Sequence, residues 1–230
     1  MPKIINFDKK IKSFNKKIIV PGDKSLSIRW VLFASLAYGI SRARNLLMSE
    51  DVIAALNTIK KLGIKVDVKK KEVKVYGKGV GGYKYSKGLV IDAQNSGTLG
   101  RLILGILIDT PYPIKIIGDK SLSKRDFKRV AEPLSKFGAK FKLKNNKHLP
   151  LTILGSKYLD PIKYNELRGS AQCKSSVIFG AMKVNGTSII KAKKSRDHTE
   201  LLCKYLKLPI DIKTKKNYDE IKVKKVKRII

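Results

Sequence analysis

The chain has 230 residues, long enough to bury roughly 70% of the surface that its unfolded form exposes, and carries 51 basic against 18 acidic residues for a formal charge of +33. Cys173 and Cys203 lie far apart without CxxC spacing, and His148 and His198 form no ligand pair with them, which argues against a disulfide framework or a metal site and points to a reduced, cytoplasmic setting. Ile4-Ile5 is cut by Asn6 and Asp8, too short for a signal-peptide core, and no apolar run reaches membrane-spanning length.

Such a charge is common among nucleic-acid-binding domains. Here, however, nine arginines stand against 42 lysines, and the lysines are scattered through nearly every segment. A nucleic-acid module would interleave arginine with aromatic residues, so a nucleic-acid partner is disfavoured and lysine at solvated surface positions is the simpler reading. Anionic small molecules would still gain from the field.

In chain order, the apolar run 18–20 reads as a strand that ends at Pro21-Gly22. The string Pro21-Gly22-Asp23-Lys24-Ser25-Leu26-Ser27-Ile28-Arg29 follows, a tight turn feeding an apolar helix from Trp30 to about Tyr38, with Ser25 or Ser27 as its cap. Unpaired N–H groups at such a helix start, together with Lys24 and Arg29, make a phosphate-binding arrangement.

Serine-led helix starts then recur. First helices begin at Ser25, Ser96 and Ser170, second helices at Ser49, Ser123 and Ser195, and breaks follow at Gly63, Gly138 and Pro209, all at intervals of 71 to 75 residues. After each break come two short alternating strands: 64–68 with 72–76, 139–143 with 149–154, and 210–212 with 221–223. Strands also precede helices at 89–92 and 114–117. The repeat is therefore a βαβαββ unit of about 72 residues, too long for a solenoid. The predicted fold class is α/β, three βαβαββ units about a pseudo-threefold axis, with the first helix of each unit buried and the more charged second helix facing solvent. The units span about 15–80, 81–155 and 156–230. The string Gly118-Asp119-Lys120-Ser121-Leu122-Ser123-Lys124-Arg125 echoes residues 22–29 but falls before a second helix, and reads in part as coincidence of good capping sequence.

Five strings, PGDKSLSIR at 21–29, NSGTLGRL at 95–102, GDKSLSKR at 118–125, SAQCKS at 170–175 and SRDHTE at 195–200, together resemble the 3-phosphoshikimate 1-carboxyvinyltransferase (EPSP synthase) family. The resemblance runs along the whole chain but covers only about the first half of the family's usual length. It implies an inverse α/β domain facing a second domain of the same design, absent here, with residues 1–14 packing on that second domain. The implied reaction moves the enolpyruvyl group of phosphoenolpyruvate to the 5-hydroxyl of shikimate 3-phosphate. Protonation of the enol methylene makes C2 electrophilic, the hydroxyl attacks, and the tetrahedral intermediate expels phosphate without metal or organic cofactor.

By the same resemblance, Lys24, Ser25 and Arg29 would contact shikimate 3-phosphate, and Lys24, the catalytic candidate, would also reach phosphoenolpyruvate. Asn95, Ser96 and Gly97 would form the turn that receives phosphoenolpyruvate, and Arg125 would bind it. Ser170, Ala171 and Gln172 would complete the phosphoshikimate site, with Ser195 and Arg196 on its phosphate side. Arg101 reads as a helix-holding residue, Lys174 as a solvated helix residue, Trp30 as core, and Asp197, His198 and Glu200 as structural members of one helical turn. Asp126 stands where the family usually has proline, and Arg168-Gly169 is an unusual lead-in to Ser170. Because the family's proton-transfer carboxylates come from its later domain, the chain alone is expected to turn over little or not at all, and a separate second-half polypeptide would be its natural partner. The competing readings are a basic nucleic-acid-binding protein and a noncatalytic remnant.

Overall fold

The computed structural model describes residues 6, 8–10, 13, 15–70 and 72–230. Its first unit runs α1 (Lys24–Leu36), β1 (Tyr38–Arg44), α2 (Glu50–Lys61), β2 (Lys65–Lys69) and β3 (Glu72–Lys78). The second runs β4 (Val90–Asp92), α3 (Gly97–Ile106), β5 (Ile114–Ile117), α4 (Lys120–Ser123), α5 (Lys128–Ser135), β6 (Lys140–Lys144) and β7 (His148–Leu154). The third runs β8 (Lys163–Glu166), α6 (Ala171–Ala181), β9 (Thr187–Lys193), α7 (His198–Tyr205), β10 (Ile210–Thr214) and β11 (Tyr218–Lys224).

Each unit builds its own sheet, in the orders β1-β3-β2, β4-β5-β7-β6 and β10-β11-β9-β8. In the second and third units the strand before the first helix pairs parallel with the strand after it, while the remaining pairs are antiparallel. Registers such as Ile116 opposite Leu151 and Ile190 opposite Ile221 put apolar side chains on one inner face.

Sequence decides which helices go inside. Helices α1, α3 and α6 carry apolar or small residues around most of their circumference, and nearly all of these are buried. Two of them approach most closely at Gly105 of α3, where any Cβ would land on the backbone carbonyl of Ser176 in α6. Phe33 of α1 and Phe179 of α6 close the centre with ring centroids 4.9 Å apart. By contrast, α2 and α5 each bury one face and turn charged residues outward. The breaks after the second helices need left-handed backbone, supplied by Gly63 (φ +84°), Gly138 (φ +114°) and Lys207 (φ +51°).

Four local expectations fail. Residues 18–20 form no strand: Ile18, Ile19 and Val20 are at least 66% exposed, and the first sheet consists of β1, β3 and β2 alone, so the apolar run has no strand to pair with. Helix α1 begins at Lys24, capped by neither serine: the Asp23 carboxylate accepts from the Leu26 N–H at 2.7 Å, and the helix stops at Leu36. Ser123 ends the short α4 and starts nothing; the chain bends, the Phe127 N–H donates to the Lys147 carbonyl, and α5 begins at Lys128. Ser195 lies outside α7, whose N-cap position is Asp197. Of residues 1–14, positions 6, 8–10 and 13 are described and lie in no helix or strand; the rest of that expectation falls outside the described residues.

Candidate functional site

Each buried helix starts with a polar cap. Ser96 Oγ accepts from the Leu99 N–H and Ser170 Oγ from the Cys173 N–H, both at 3.3 Å, as Asp23 does for α1. One turn inside α1, Arg29 is only 3% exposed. Its Nε donates to Thr199 Oγ1 of α7 at 2.7 Å, its Nη2 to Ser175 Oγ of α6 at 2.9 Å, and its Nη1 back to the Ser25 carbonyl at 3.2 Å. Thr199 Oγ1 in turn donates to Ser175 Oγ at 2.7 Å. This clamp ties α1, α6 and α7 together around one fixed cation.

Burial pulls the Arg29 pKa down to about 10, with Glu200 opposing that pull and the like charge of Arg196 adding to it. Two guanidiniums therefore share one neighbourhood, which an anion would stabilise. The Ser195 hydroxyl beside Arg196 in sequence is buried and, among the described residues, has no hydrogen-bond partner. Beneath lies Lys174, whose side chain is fully buried and paired with Glu200 at 2.6 Å. Lys174 is thus no solvated residue: Glu200, the carboxylate that pairs with it, lies on α7, and sequence spacing gives no sign of the pair. Glu200 serves this pair, in keeping with a structural role.

Lys24, at the first position of α1, is half-exposed and paired with Asp51 of α2 at 3.2 Å. Ser25 offers its carbonyl to Arg29. A second cluster gathers around the start of α3. Arg101, 4% exposed, donates through Nη1 to Gln172 Oε1 at 2.5 Å, and Gln172 Nε2 donates to Thr98 Oγ1 at 3.0 Å, joining α3 to α6. The Asn95 amide donates to Asp119 at 2.6 Å and accepts from Arg125 Nη2 at 3.0 Å. A Cβ on Gly97 would lie 3.0 Å from Nη1 of both Arg101 and Arg125, so the missing side chain is what lets the two cations converge. The Ser170 N–H donates to buried Glu166 at 2.9 Å, fixing the turn before buried Ala171.

The structure thus brings Arg29 together with residues of α6 and α7, and Asn95, Gly97 and Arg125 together with the Arg101–Gln172 pair. Among the described residues, no hydrogen bond joins Lys24 to Arg125. Sequence reasoning missed Thr199, Ser175, Asp51 and Asp119. Thr199 and Ser175 lie inside or beside the quoted strings, and Asp119 stands in the echo at the position of Asp23. Chemically, the site offers fixed guanidiniums, hydroxyls and helix starts, a set for binding anions. Asp51, Asp119, Glu166 and Glu200 are already occupied as ion-pair or cap partners. Among the described residues, no group of three His, Cys, Asp or Glu side chains is placed to hold a metal ion, and no helix is long and apolar enough to cross a membrane.

Known proteins resemble this chain along most of its length. The family model described as EPSP synthase (3-phosphoshikimate 1-carboxyvinyltransferase) matches residues 9–229. A 3-phosphoshikimate 1-carboxyvinyltransferase of Caldicellulosiruptor bescii is 42% identical over 196 residues, covering 84% of this chain and 45% of that protein. One from Streptococcus agalactiae is 40% identical over 200 residues, covering 86% and 47%. The solved EPSP synthase of Acinetobacter baumannii superposes with a TM-score of 0.85 at 31% identity, over 94% of this chain and 48% of that one. The chain spans about half the length of these relatives. With a family match along nearly its whole length and the same fold in a solved member, this chain belongs to the EPSP synthase family.

Proposed function

We propose that this chain binds shikimate 3-phosphate and forms one wall of a site for enolpyruvyl transfer from phosphoenolpyruvate. The observation that carries the reading is the Arg29 clamp. A buried guanidinium held by three helices, with Arg196 nearby and the unpartnered Ser195 hydroxyl in the adjoining turn, is a fixed receptor for a substrate anion. Its geometry is set before any ligand arrives, so little ordering cost opposes binding.

In this reading Ser25, Ser170, Ala171 and Gln172 frame the phosphoshikimate, while Asn95, Gly97 and Arg125 receive phosphoenolpyruvate. Lys24 lies between the two ligands and its ammonium neutralises charge on the phosphate that departs. Relatives about twice as long carry the reaction, so the opposing wall and the general acid and base are assigned to a second half, supplied by continuing chain or by a partner polypeptide.

Calorimetric titration of shikimate 3-phosphate tests this at fixed ionic strength. Saturable binding is expected for the phosphorylated sugar and not for shikimate, and Arg196→Ala should weaken it about tenfold, the loss of one charge-assisted contact. Equal affinity for shikimate, or binding of RNA that collapses with salt while phosphoshikimate produces no heat, would overturn the proposal in favour of the nucleic-acid reading.

A further inference from the structure

We propose, taking Arg125 as the phosphoenolpyruvate-binding cation assigned above, that Asp119 is a positioning residue that aims Arg125 by dictating which way the Asn95 amide points. Asp119 uses both carboxylate oxygens. Oδ1 accepts from the Leu122 N–H at 2.7 Å, capping α4, and Oδ2 accepts from Asn95 Nδ2 at 2.6 Å. With its NH2 group committed to the carboxylate, Asn95 has only Oδ1 left to face the guanidinium, and that oxygen accepts from Arg125 Nη2 at 3.0 Å. A flipped amide would set NH2 against a guanidinium, donor against donor. The backbone N–H of Leu122 and, to a lesser degree, the Asn95 amide hold the Asp119 carboxyl below its ordinary range, so it remains an acceptor at neutral pH.

Arg125 needs such an anchor because it is an exposed side chain, unlike buried Arg29 in the matching place of the first copy. Its other side-chain contact, to Ser121 Oγ, is long at 3.5 Å. In the first copy Asp23 also caps its helix, but the lysine beside it is held by Asp51, and the arginine is locked by Thr199 and Ser175. The two copies thus share the cap and differ in how the arginine is fixed.

An amide at 119 keeps the cap, since asparagine is as good an N-cap as aspartate. With its oxygen on Leu122, however, its NH2 group must face Asn95, which turns its own oxygen toward residue 119 and its NH2 group toward Arg125. The relay predicts its own repair. In Asp119→Asn with Asn95→Asp the first bond reverses: the carboxylate at 95 accepts from the amide at 119 on one side and from the guanidinium on the other, so Arg125 regains its partner.

The test is nitrogen-15 NMR of the full chain, reading the rate of rotation about the Arg125 Nε–Cζ bond, with the melting temperature measured alongside. Asp119→Asn should speed that rotation about tenfold, the loss of one charge-assisted hydrogen bond, without lowering the melting temperature by more than a few degrees. Asn95→Ala, which leaves the cap untouched, should do the same, and the double exchange should return the rotation to near its original rate. An unchanged rate in either single variant, or no recovery in the double exchange, would overturn the relay. Because no substrate enters this readout, a failed phosphoenolpyruvate reading and a failed relay give different results.

Discussion

Removing either partner of the Lys174–Glu200 pair strands a charge where water cannot reach it. Both side chains are at most 4% exposed. Lys174→Ala or Glu200→Gln is therefore expected to lower unfolding stability by about 3–5 kcal/mol, read as a shift of the urea midpoint. Replacing both by apolar residues of similar volume should recover most of the loss, since the cost comes from the lone charge more than from the missing bond. A wild-type midpoint in either single variant would mean that the pair is hydrated. The same pair also bears on the site, because Glu200, more than Asp23, offsets part of the desolvation of Arg29.

Among the elements, the crossing of α3 and α6 is the least forgiving. Gly105 lets the Ser176 backbone pass where a methyl group would collide with a carbonyl, and Ser176 Oγ donates to the Arg101 carbonyl at 2.8 Å across the same seam. Gly105→Ala is expected to lose at least about 1–3 kcal/mol, against the small gain that alanine brings to an unconstrained helix interior. Thermal unfolding of that variant decides it, and a raised melting temperature would show that the seam can open. Elements were legible in the sequence wherever one serine preceded an apolar run, as at Ser96 and Ser170, and wherever alternation marked a hairpin. They were illegible where several caps competed, as with Asp23, Ser25 and Ser27. At Ser123 the deciding contact, from Phe127 to Lys147, comes from a strand turn 20 residues away. The same limit hid much of the site. Arg29 and Arg125 stood out as cations in helix-start strings, whereas Thr199, Ser175 and Lys174 acquire their roles only when α6 and α7 pack against α1.

At the scale of the whole molecule, the formal charge of +33 comes from lysines scattered through nearly every segment, while the fixed guanidiniums of Arg29, Arg101 and Arg125 lie near the starts of α1, α3, α6 and α7. A diffuse lysine field draws in any anion and is screened by salt; a buried clamp distinguishes among anions. The distinction separates a substrate site from a nonspecific polyanion surface. The measurement that bears on it most directly is the thermal-unfolding shift of the chain with shikimate 3-phosphate, compared with shikimate and inorganic phosphate at equal ionic strength. At about a hundred times its dissociation constant, shikimate 3-phosphate should stabilise the fold by about 2.7 kcal/mol while the other two leave it nearly unchanged. An equal shift with inorganic phosphate, or none with any of the three, would contradict a preformed phosphoshikimate site in this half of the fold.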